Sequence, residues 1–120
     1  MYSCVHPHEW LPHIRDMLEA SESALKHRGD LSESEFYTDQ TVFDATVRQI
    51  TIVGEAANRL PQAVRDIYPS IPWIDIRGAR NFLMHQYDDI EPETVWRTVT
   101  VSLPQLIPAL REILADHKEM

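Results

Sequence analysis

Near the end of the chain, Val95, Val99, Leu103, Leu106, Leu110 and Ile113 recur three or four residues apart. That spacing returns side chains to one face of a helix, and it cannot line one face of a strand. The same period recurs upstream, strict apolar–polar alternation is hard to find, and only 3 glycines occur in 120 residues. The chain therefore reads as helical throughout. The expected fold is all-α, an antiparallel four-helix bundle with one short extra helix. Its length is enough for one domain with a real core, and no repeat, linker or low-complexity tract divides residues 1–120.

The spacing predicts a first helix over 7–27, with Leu11, Ile14, Leu18 and Leu25 on one face and the small Ser21 at the intervening turn. Gly29 then stops it. The stretch "GDLSESEFYTDQ" reads as a loop carrying helix-start signals, and it leads into a second helix over 39–60. There Phe43, Val47, Ile50, Val53 and Ala57 form one stripe, and Val42, Ala45, Gln49, Ile52 and Ala56 a second. Two stripes imply contact on two sides, and Gly54 between them implies a close helix crossing. A short helix over 62–68 precedes the rigid connection "PSIPW". A third long helix is predicted over 73–87, and the last runs over 92–117 from the first-turn proline Pro92. Pro104 and Pro108 should kink or briefly break that last helix.

Composition limits the function classes. Eleven Lys and Arg against 19 Asp and Glu give a formal charge of −8, which argues against general duplex binding through a basic surface. A local cationic pocket remains compatible with that balance. Cys4 is the single cysteine, so no internal disulfide can form, and a reducing cytoplasm is the expected location. No apolar run approaches membrane-spanning length, and "MYSCVHPHEW" lacks the apolar core of a signal peptide. His6, His8 and His13 could in principle gather a metal, but a frayed, solvated start is the preferred reading. Trp73 and Trp96 read as core or interface aromatics.

Chemistry concentrates in "RGARNFLMHQYDD", residues 77–89. On a helical wheel Ile76, Arg80, Leu83, Met84 and Tyr87 share one broad arc, while Arg77, Asn81, His85 and Asp88 share the adjoining one. Asn81 and His85, four apart, can touch. Arg80 and His85 lie about 140° apart, which favours a cleft shared with a second subunit over a compact site on one helix. Two readings stand at this point. The polar groups could be a buried network that fixes helix register, or they could be a working site.

The motif and its surroundings resemble a known family. "RNFLMHQY" fits the R-x4-H-x-Y pattern of the HepT-like toxins, a branch of the HEPN (higher eukaryotes and prokaryotes nucleotide-binding) superfamily. "IVGEAANRLP" is similar to that family's IGEA-type segment, and "PSIPWIDIRGARNFLMHQYDDIEPETVW" to its P-x-I-P-W to R-N-x-L-x-H-x-Y block. "LPQL" recurs at the corresponding place in the last helix, and the similarity extends over residues 9–115.

The resemblance implies a homodimeric all-α HEPN bundle acting as the toxin of a type VII-like HepT/MntA toxin–antitoxin system. It implies a metal-independent endoribonuclease acting on RNA, as some family members act on tRNA, without a cofactor of its own. Arg80 and His85 match the catalytic arginine and histidine, with the site at the dimer interface. The implied partner is an MntA-type minimal nucleotidyltransferase, which uses ATP and Mg²⁺ to transfer AMP to the motif tyrosine, here Tyr87. The chemistry suits these residue types: imidazole titrates near neutrality and can accept a proton from the ribose 2′-hydroxyl. A guanidinium, always protonated, can hold the phosphate and its developing charge. Asn81 and Arg77 are candidate supporting or phosphate-binding residues. The acidic pair Asp88 and Asp89 opposes RNA binding unless Arg77, Arg80 or the second subunit compensates. The rival reading belongs to another class: a non-catalytic nucleotide-binding or docking subunit of a two-component nucleotidyltransferase, in which Tyr87 and the fold matter more than Arg80 and His85.

Overall fold

In the computed structural model, which describes residues 7–78 and 90–117, every regular element is helical. Helix α1 (Pro7–Arg28) ends where Gly29 takes a left-handed φ of 54°, with its N–H donating to the Leu25 carbonyl. That conformation costs an L side chain energy and costs glycine little, so the predicted stop is the observed one. Helix α3 (Gln40–Asn58) starts under an Asp39 cap whose carboxylate accepts from the Val42 N–H. Its first predicted stripe forms the buried side from Val47 to Ala57, while Val42, Ala45, Gln49 and Ile52 of the second stripe are half-buried. Helix α4 (Gln62–Ile67) follows, and helix α5 is described over 73–78. The remainder of the helix predicted over 73–87 lies outside the described residues.

The segment expected to be a loop between the first two long helices contains a further helix, α2 (Glu33–Thr38). Ser32 and Glu35 close a reciprocal capping box: the Ser32 hydroxyl accepts from the Glu35 N–H, and the Glu35 carboxylate accepts from the Ser32 N–H. Phe36, fully buried, is what this turn contributes to the core. It packs against Phe43 and Trp96, with ring centroids 5.6 and 5.4 Å away. The Arg28 guanidinium covers the Trp96 ring at 4.8 Å, closing the end of α1 over the same cluster. The bundle thus carries two short extra helices where the sequence suggested one.

The last helix is interrupted as the prolines suggested. Helix α6 (Pro92–Arg97) passes through a wide π turn (Thr98–Ser102) into α7 (Leu103–Asp116). The Leu103 N–H reaches back five residues to the Thr98 carbonyl. Pro104 has no N–H to give to the Thr100 carbonyl and its ring would crowd that turn, so widening the helix just before it relieves the conflict. Pro108 sits inside α7 without ending it.

Helix α1 packs against α3 and α7, and α2 spans α3 and α6. One continuous core results, built from Trp10, Ile14, Met17, Ile50, Val53, Leu110 and their neighbours. The face of α1 differs in phase from the predicted one. Met17, Ala20, Ser21 and Ala24 are buried with Leu11 and Ile14, while Leu18 and Leu25 are only half-buried. A helix wedged between two others needs small side chains where it is approached most closely, and Ala20, Ser21 and Ala24 supply them.

Candidate active site

The helix expected to carry the chemistry begins at a corner built from α3, α4 and the start of α5. Pro72 stands just ahead of α5, and its carbonyl accepts from the Ile76 N–H. Trp73 is 8% exposed, and its indole Nε1–H donates to the carbonyls of Arg65 (3.1 Å) and Tyr68 (3.0 Å). The core reading for this tryptophan holds, with the added task of fixing where α5 starts. Trp96, half-buried, lies in the cluster under α2.

Arg65 is 8% exposed and acts as an internal cap. One terminal nitrogen, Nη1, donates to the Leu60 carbonyl at 2.6 Å and more distantly to Ala57 at 3.4 Å, and Nη2 donates to Gln62 Oε1 at 2.8 Å. Carbonyls at a helix C-terminus lack intrahelical donors, and a guanidinium offers several at once. Burial pulls the Arg65 pKa below its ordinary value, the nearby charge of Arg77 lowers it further, and Asp66 opposes both. The like charge of Arg77 on α5 is thus felt at Arg65 on α4.

Arg77 is half-buried, and its Nε–H donates to Asn58 Oδ1 at 2.5 Å. Of the residues singled out in the motif region, Arg77 is the one within the described part. Arg80, Asn81, His85 and Tyr87, with Asp88 and Asp89, lie outside the described residues. Asn58 and Arg65 escaped the sequence reading. Asn58 is 19 residues from Arg77, and nothing in the spacing of either residue signals their contact.

A cleft of about 910 Å³ opens beside the same corner, bounded by α3, the start of α5, α6, the π turn and α7. Ile50, Val53, Leu103 and Leu106 give it an apolar floor, while Asp75, Arg97 and Thr98 lie among its polar lining. Ile74, also on its wall, is 85% exposed. Among the described residues, no group of three His, Cys, Asp or Glu side chains is placed to hold a metal ion. His8 and His13, five apart on α1, point about 140° from each other, and His6 lies outside the described residues, as does Cys4. Among the described residues no helix is long and apolar enough to cross a membrane.

The described residues form an all-α bundle, as a HEPN domain does. The family model described as "Ribonuclease HepT-like" matches residues 17–113, a span that includes both the corner and the R-x4-H-x-Y motif. The chain belongs to this HepT-like ribonuclease family. It is 30% identical over 107 residues to a protein of Caldanaerobacter subterraneus subsp. tengcongensis described as a "Putative RNase", covering 89% of this chain and 96% of that one. A "Putative RNase" of Methanocaldococcus jannaschii is 29% identical over 106 residues, with 88% and 91% covered. The "Probable ribonuclease HepT" of Thermococcus cleftensis is 28% identical over 94 residues, with 78% and 86% covered. No solved structure matches the chain.

Proposed function

We propose that this protein is a metal-independent endoribonuclease toxin, active as a cytoplasmic homodimer and silenced by AMPylation of Tyr87. The observation that carries the proposal is the R-x4-H-x-Y motif, Arg80 to Tyr87, standing inside the span matched by the ribonuclease family. Neutral His85 takes the proton of a ribose 2′-hydroxyl as that oxygen attacks the adjacent phosphorus. The bond to the 5′-oxygen breaks, leaving a 2′,3′-cyclic phosphate on one product and, once protonated, a 5′-hydroxyl on the other. Arg80 holds the phosphate oxygens as their charge rises, and Asn81 orients His85. The dimer is supported by the cleft and by the exposure of Ile74 at 85% and Val101 at 48%, large apolar side chains that a second copy would cover.

In the control step an MntA-type nucleotidyltransferase moves AMP from ATP to the Tyr87 phenol, with pyrophosphate leaving. The added phosphate brings negative charge to a site that must receive RNA phosphates. The deciding experiment incubates end-labelled RNA with the purified protein, with and without EDTA. Cleavage should persist under chelation and disappear in Arg80→Ala and His85→Ala. Cleavage that is lost on chelation, or that survives in His85→Ala, refutes the mechanism. Intact-mass measurement after incubation with the partner, ATP and Mg²⁺ should show AMP on the parent and none on Tyr87→Phe.

A further inference from the structure

We infer that Asn58 is a positioning residue for RNA: by gripping Arg77 through its Nε, it aims the outer edge of that guanidinium as a fixed phosphate contact. The inference rests on the ribonuclease reading and adds a residue to it from outside the motif.

The argument begins with the acceptor. Asn58 is the last residue of α3, half-buried, and presents a neutral amide oxygen to Arg77. A carboxylate in that place would orient the guanidinium equally well but would cancel its charge. An amide orients it and leaves the charge whole. A guanidinium held through Nε keeps the end-on fork formed by one N–H from each Nη, the edge that matches two phosphate oxygens.

The surroundings reinforce this. Arg65 lies close enough for its own pKa to be lowered by Arg77's charge. Its donors are directed inward, to the Leu60 carbonyl and Gln62. The Asn58 bond holds the Arg77 guanidinium at its side, and repulsion from Arg65 opposes its turning into the α3–α4 corner. Asp66, the carboxylate that offsets Arg65's shift, is itself bonded by Gln62 Nε2 at 2.8 Å. A chain of formal charge −8 must attract RNA through local groups, and here two cations adjoin at the start of the helix that leads into the motif.

The test uses the full chain and two probes. One is a fluorescein-labelled 2′-O-methyl oligoribonucleotide, which lacks the attacking hydroxyl and reports binding by anisotropy. The other is the same sequence as plain RNA, which reports KM and kcat. Asn58→Leu should weaken binding about tenfold, with the loss falling on KM rather than kcat. Asn58→Asp keeps the hydrogen bond but neutralises the charge, so it should stay folded and still lose affinity. Arg77→Ala should reduce the slope of log affinity against log salt by about 0.7, one phosphate contact on a single strand. In that background Asn58→Leu should have no further effect. Equal losses from Asn58→Leu with and without Arg77 would make Asn58 merely structural and overturn the inference. A parent that cuts RNA, with Asn58→Leu and Asn58→Asp indistinguishable from it, overturns the inference alone. A parent that neither binds nor cuts RNA overturns the ribonuclease reading and the inference with it.

Discussion

Replacing Arg65 by methionine tests the internal cap at the α3–α4 corner. Methionine can retain much of the apolar stem packing and removes every donor. The carbonyl of Leu60, a residue only 3% exposed, accepts from Arg65 at 2.6 Å and loses a charge-assisted bond that water can replace only poorly. The bond to Ala57 at 3.4 Å is long and contributes little, and Gln62 can turn its amide elsewhere. One such bond to a charged group is worth roughly 1.5–3 kcal/mol. Part of that is returned, because the variant no longer buries a cation and no longer repels Arg77, the two causes that lower the Arg65 pKa. The net loss should be about 2 kcal/mol, a fall of about 8 °C in Tm for a chain of this size. Urea unfolding followed by circular dichroism at 222 nm measures it. The coupling has a definite sign: with Arg77 changed to glutamine the repulsion is gone, so Arg65→Met should cost more in that background than in the parent. An Arg65→Met protein as stable as the parent, or a coupling of opposite sign, would refute this account of the corner.

Two further outcomes follow from other parts of the fold. The Glu35 carboxyl is held below its ordinary value of 4.5, first by the Ser32 backbone N–H and then by the Ser32 hydroxyl. Its contribution to stability is therefore present above the unfolded value and lost as pH falls through the folded one, and Ser32→Ala should move the Glu35 titration, followed by NMR, upward without restoring it fully. Ile74→Glu places a charge on a side chain 85% exposed, so Tm at low concentration should change little, while sedimentation should show a weakened dimer; an unaltered association constant would place the dimer face elsewhere.

Helix period and proline placement made the long elements legible, because both act locally. The last helix was interrupted next to Pro104, and α1 ended at Gly29, for reasons visible in single residues. Helix α2 was harder, since six residues carry no measurable period; Ser32 and Glu35, three apart, were the available signal. The phase of α1 was misread toward Leu18 and Leu25 because hydrophobicity does not say where another helix comes closest. The motif was legible as residue types, whereas the corner at the start of α5 was not. Asn58 and Arg65 look like ordinary surface residues until folding brings the end of α3 against α4 and α5. Their roles depend on chain path, which a one-dimensional pattern does not encode.

The wide turn at Thr98–Ser102 has an angular consequence. Steps of four residues overshoot a regular helix by about 40° each, so Leu103 would lie about 80° around from Val95. A turn holding an extra part-residue absorbs that overshoot, and Val95, Val99 and Leu103 are all buried, at 1%, 0% and 3% exposed. The segment therefore works as a phase corrector, joining a helix that meets α2 to one that meets α1. What the core measures there is residue number more than residue kind. The wide turn at Thr98–Ser102 can lose one residue and close into an ordinary α turn. Removing one residue from regular α7 between Leu103 and Leu106 would keep nearly all the chemistry, yet would turn the rest of α7 by about 100° and swing Leu106, Leu110 and Ile113 away from the core together.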